Sequence, residues 1–226
     1  MLYMTTLTMQ FLVKFLQKIL GVIIFMDKAT FGLVGVCLGF VLGVFKDSFL
    51  QYLKRKKERE YLSILVVCEL DRFIYGCIDV INDDGTSCGR YDENGYARIQ
   101  VKTPYFDAYS LDVEWKSLPH KLMYETLNFP NKIENANEII SATFEHDDPP
   151  TYDRGFDARH FHYTELGVQA LELASKLRNL AGLPPQEASE YCDPSDILPK
   201  KKIELEERKK LNDSSVPIAD TPLNKH

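Results

Sequence analysis

Residues 29–45, ATFGLVGVCLGFVLGVF, run for seventeen positions without a charged side chain. At 1.5 Å per residue, a helix of that length covers about 25 Å, the short end of what crosses a bilayer. Lys28 and Lys46 stand at its two ends, where long cationic side chains can reach the head-group region. Helices in the cores of soluble domains seldom go so far without a charge, so the run predicts a single membrane span within 26–46.

Glycine punctuates the same run. Gly35, Gly39 and Gly43 recur every four residues, with Gly32 just ahead. At 3.6 residues per turn they drift by about 40° per step and so share one helix face. Lipid tails are as apolar as leucine, so spans pair by close packing, and small residues let two backbones approach. The four glycines are therefore the predicted helix–helix interface, with a second copy of the chain or with a partner's span.

Charge gives the expected orientation. Lys46, Lys54, Arg55, Lys56, Lys57 and Arg59 follow the span, whereas only Asp27 and Lys28 directly precede it. The positive-inside rule then puts the C-terminal side in the cytoplasm, with 47–60 as a basic juxtamembrane helix. Contact with anionic head groups is a further possibility for that basic run. Residues 1–60 carry 9 Lys/Arg and 4 Asp/Glu, and residues 61–226 carry 18 and 29, so a net of +5 stands before a net of −11. An acidic body is a poor partner for nucleic acid, whose phosphates call for clustered Lys and Arg. The five cysteines, Cys37, Cys68, Cys77, Cys88 and Cys192, are odd in number and contain no CxxC pair, which favours free thiols in a reducing compartment. This organisation suits a single-pass protein of a bacterial inner membrane.

Three readings fit residues 1–25, an uncertain N-terminal extension. Met26 is the true start, or the segment is an in-plane amphipathic helix, or it is a second, imperfect span.

Residues 61–185 predict an antiparallel helical bundle, so the fold class is mainly α. Leu62, Val66, Phe73, Cys77 and Ile81 form a helical apolar stripe, and Cys68 and Cys77 read as small core residues. NDDG at 82–85 ends that helix. Asn94–Gly95 between RYD and YARIQV predicts a small β-hairpin insert near 86–101. A helix begins near Ser117–Pro119, Pro130 interrupts it, and another resumes over NKIENANEIISATFEH. The last bundle helix runs from about Asp157 to Ala181, with Gly182 and Pro184–Pro185 closing it. Residues 186–226 read as a charged tail, with an exposed helix over 200–210 carrying Glu204–Arg208 and Glu206–Lys210 pairs and a disordered end.

Chemistry is sparse. No phosphate-binding glycine loop, GxSxG, HExxH or Glu-x-x-His occurs. His160 and His162, with His146 nearby, are weak metal candidates. Two residues apart on a helix is about 200° of rotation, so His160 and His162 share an ion only if their segment is loop. Glu134 and Glu138 lie on one helix face and read as solvated. Tyr91, Tyr96, Tyr105, Phe106, Tyr109 and Trp115 are either core or an aromatic recognition surface. No catalytic residue and no cofactor are predicted. The expected function is that of a membrane-anchored interaction or regulatory protein with an unidentified protein partner. Two alternatives are a small membrane-active effector or pore subunit and, less favoured, a membrane-tethered metal-dependent enzyme.

Overall fold

The computed structural model describes Lys14, residues 28–186 and residues 192–215; for 28–34 and 212–215 it describes the backbone alone. The extension 1–25, the choice of Met26 as start and the end of the tail after 215 lie outside the described residues. In chain order come α1 (Lys28–Ile81), a 3-10 turn (Trp115–Ser117), α2 (His120–Leu127), α3 (Phe129–Glu145), α4 (Asp153–Ala181) and α5 (Pro194–Ser215). The protein is mainly helical, with bundle-like packing. Two compact units divide it, residues 1–55 and residues 56–226, and α1 contributes to both.

In the first unit every described side chain of 35–55 is exposed except the half-buried Leu38. Val36, Phe40, Leu42, Phe45, Phe49 and Leu50 are the large apolar side chains among them. Among the described residues no helix is long and apolar enough to cross a membrane. The described apolar side chains begin at Val36, and Lys46, Asp47 and Gln51 interrupt them before a full span is reached.

In the second unit the expected stripe on α1 is the core: Leu62, Val66, Phe73, Cys77 and Ile81 are all buried. Leu166, Ala170, Leu173 and Leu177 of α4 join them. Cys68 differs, because it is exposed while Cys77 is buried. Nine residues put the two on opposite sides of one helix, and only one side faces the core. At Gly167 of α4 a Cβ would sit 2.9 Å from Leu198 and 3.3 Å from Cys77, so the absence of a side chain lets α1, α4 and α5 meet.

The proline signals hold. Pro119 is the N-cap of α2, and Pro130 sits in the first turn of α3, where its missing N–H costs nothing. Asn128 alone separates the two helices. Phe129 fills the corner, with its ring edge-on to Phe73 at 5.3 Å and to Phe106 at 5.6 Å. α4 begins at Asp153, four residues earlier than the periodicity suggested, and Gly182 caps it in the left-handed region.

Two expectations need correction. There is no strand among the described residues, so the hairpin insert is absent; 86–101 holds a single isolated bridge between Ser87 and Arg90. The turn at Asn94–Gly95 does form, with Gly95 at φ +80°. Carboxylates take the backbone donors that a ladder would use. Asp92 Oδ1 accepts from the N–H groups of Asn94 and Tyr96, and Asp83 Oδ2 accepts from those of Gln100 and Val101.

The second correction concerns 200–210, which belong to a longer helix, α5, with Leu198 and Leu205 buried. Arg208 bonds Asp157 of α4 rather than Glu204, and Glu206 faces Lys202 at 4.0 Å.

Candidate functional site

The glycine-bearing segment is the first place to look. A Cβ added at Gly35, Gly39 or Gly43 meets no atom within 4 Å. Among the described residues, none packs against the Cβ position of these glycines. Gly32 lies where the backbone alone is described. Of the basic residues, Lys46, Lys54, Arg55 and Lys57 are exposed, whereas Lys56 pairs with Glu60 at 3.6 Å and Arg59 is half-buried.

The structure does not bring the histidines together as a metal centre. His160 and His162 both lie within α4, on regular helix. His160 Nε2 lies 2.8 Å from the carbonyl oxygen of Asp83. A carbonyl only accepts, so that ring nitrogen carries the proton and is not free to bind a metal. Burial lowers the tendency of His160 to protonate, against the opposing pull of that carbonyl. His162 packs edge-on against Phe161, and His146 caps the end of α3 and gives its carbonyl to Arg154. No group of three His, Cys, Asp or Glu placed to hold a metal occurs among the described residues.

What the sequence did not announce is a buried polar clasp beneath the loop 82–114. Asp83, read as part of a helix stop, has a fully buried side chain paired with Arg159 of α4 at 2.8 Å. Its two oxygens also accept from the backbone N–H groups of Gly85, Gln100 and Val101. Arg159 donates in turn to the Val101 carbonyl at 2.5 Å. Burial pushes the Asp83 carboxyl up, but these donors together outweigh it and hold the group below the usual carboxylate range. No periodicity links positions 76 residues apart, so no local signal could have paired them. Gly85, at φ +78°, completes the clasp; a Cβ there would lie 2.4 Å from the Phe156 ring.

The clasp fixes where the loop's aromatic residues go. Of the six noted above, Phe106 enters the core, Tyr96 and Trp115 are half-buried, and Tyr91, Tyr105 and Tyr109 are exposed. Both readings of the cluster thus apply to different members. Tyr109 donates its hydroxyl to the Leu127 carbonyl at 3.1 Å. Tyr105, 76 % exposed, stands beside Asp107, which raises its phenol above the ordinary value. It forms one wall of a groove of about 580 Å³ against α3, floored by Phe106 and Ile133. Glu134, Asn137 and Glu138 line the other wall.

Asn137 is held from beneath: its Oδ1 accepts from the buried Tyr163 hydroxyl at 2.7 Å. Both ingredients, the tyrosines and the Glu134/Glu138 pair, were visible in the sequence, but only the fold joins them. No family model matches the chain, and no curated protein and no solved structure matches it either.

Proposed function

We propose that the protein is a membrane-anchored interaction protein, in which a helical segment within 26–46 sits in the bilayer and pairs through Gly32, Gly35, Gly39 and Gly43, while the acidic helical body docks a protein partner in the cytoplasm. The observation that carries this reading is the exposure of the uncharged, apolar helix over 35–45. A helix that is apolar on every face is stable only inside protein or inside lipid. The uncharged stretch 29–45 extends that apolar surface, and the cations from Lys46 to Arg59 supply the topological signal. Phe45, Phe49 and Tyr52 are exposed at its C-terminal end, the position that interfacial aromatic residues favour.

The glycine face separates pairing from folding. Because Gly39 has open space around its Cβ position, Gly39→Leu leaves the body's packing untouched. The test is affinity purification of the C-terminally tagged full chain from mild-detergent membranes, beside Gly39→Leu, with every co-purifying chain identified. The expected result is a stoichiometric second chain, or an oligomer of this one, that is lost in the variant. An identical set of co-purifying chains from both proteins contradicts a glycine-mediated pairing.

A further inference from the structure

We propose that the groove between Tyr105 and α3 is a receptor for an arginine or lysine side chain presented by a basic segment of a partner protein. This rests on the interaction reading above and names the chemistry of the partner. Tyr105 and Phe106 reach the groove from the loop, and Ile133, Glu134, Asn137 and Glu138 recur on one face of α3. The loop side is anchored, because Asp83 and Arg159 tie it to α4 and Phe106 is inserted against Phe129. The site therefore exists before any ligand arrives, and little ordering cost is left for binding.

Its chemistry is one-sided. The floor is apolar, since Phe106 and Ile133 are buried. Its rim carries the carboxylates of Glu134 and Glu138 on α3, and Asp107 stands beside Tyr105. Glu134 and Glu138 meet no basic side chain among the described residues, although the same helix's Lys132 is engaged with Gln169 at 2.7 Å. Glu125 of α2 and Asp147 after α3 are by contrast paired, with Lys176 at 2.9 Å and with Arg154 at 3.0 Å. Glu134 and Glu138 thus present unpaired charge at the groove's rim.

An exposed tyrosine face opposite two carboxylates suits a cation carried on an apolar stem. The stem covers the floor, the head meets the ring face and the carboxylates draw its charge. A body of net charge −11 over 61–226 steers such a segment toward it. An anionic or purely apolar occupant would leave Glu134 and Glu138 desolvated without a partner.

The probe is a fluorescein-labelled peptide, Ala-Leu-Arg-Ala-Leu-Arg-Ala-Gly, with its Arg→Gln counterpart, titrated by fluorescence anisotropy against the full chain in non-ionic detergent. Arginine-dependent binding is expected, weakened at least tenfold by Glu134→Gln/Glu138→Gln and by Tyr105→Ala, and retained within about twofold by Tyr105→Phe, which keeps the ring face. Glu145→Gln/Glu207→Gln removes the same charge from exposed positions outside the groove and is expected to change affinity less than twofold. Equal losses in the two double variants, or no arginine-dependent binding, overturn the proposal. Neither result bears on pairing through Gly39, so the groove and the anchored-interaction reading fail separately. Unchanged helical circular dichroism in each variant excludes unfolding as the cause of a loss.

Discussion

Asp83 is the residue on which the arrangement of the loop depends most. Its side chain is buried with Arg159, and a buried pair broken on one side leaves an uncompensated charge. Arg159→Met should therefore cost about 3–5 kcal/mol in urea unfolding. The same clasp sets a pH dependence. The folded carboxyl titrates below its unfolded value of about 3.9, so its stabilisation is present above that value and lost as pH falls through the folded one. Wild-type urea midpoints should drop between about pH 5 and pH 2, with a shallower drop in Arg159→Met, where the main cationic partner is gone. Parallel pH profiles for the two proteins would contradict this assignment. Nothing near Asp83 in the chain reveals the partner: NDDG reads correctly as a helix stop, and Arg159 falls among the residues of RHFHY that attracted a metal reading.

At the scale of elements, helix periodicity was a reliable guide and pairing was not. Leu62, Val66, Phe73 and Cys77 repeat at helical spacing because one side of α1 is covered, and Leu166, Ala170, Leu173 and Leu177 do the same on α4. The hairpin failed for a reason that turn chemistry cannot register. Asn94–Gly95 makes its turn, but Asp92 and Asp83 capture the N–H groups of Tyr96, Gln100 and Val101 that follow it. The burial of α5 leaves little trace in the sequence, because it rests on widely spaced leucines within a lysine-rich stretch. Leu198 lies against Gly167, and Leu205 lies two turns farther along. Leu198→Ala is expected to cost about 2–5 kcal/mol, the range for truncating a buried leucine. Ile203→Ala, at a position 57 % exposed, should change stability by less than about 0.5 kcal/mol. Equal effects in thermal unfolding would mean that α5 does not depend on Leu198 for docking.

Across the whole molecule, charge and hydropathy are segregated along the chain. An apolar stretch is followed by a cluster of cations and then by a body with net charge −11 over 61–226. The body satisfies its own apolar stripe, since α1 from Leu62 onward is covered by α4, α5 and the loop. The apolar side chains over 35–45 are instead exposed, all but the half-buried Leu38, and that contrast is why an external apolar environment enters the account. Alkaline carbonate extraction of membranes containing the tagged full chain, followed by flotation, tests this most directly. The account predicts that the chain stays with the floated lipid at high pH, as an integral span does. Release of the whole chain into the supernatant would contradict membrane anchoring and leave the apolar helix to be covered by protein.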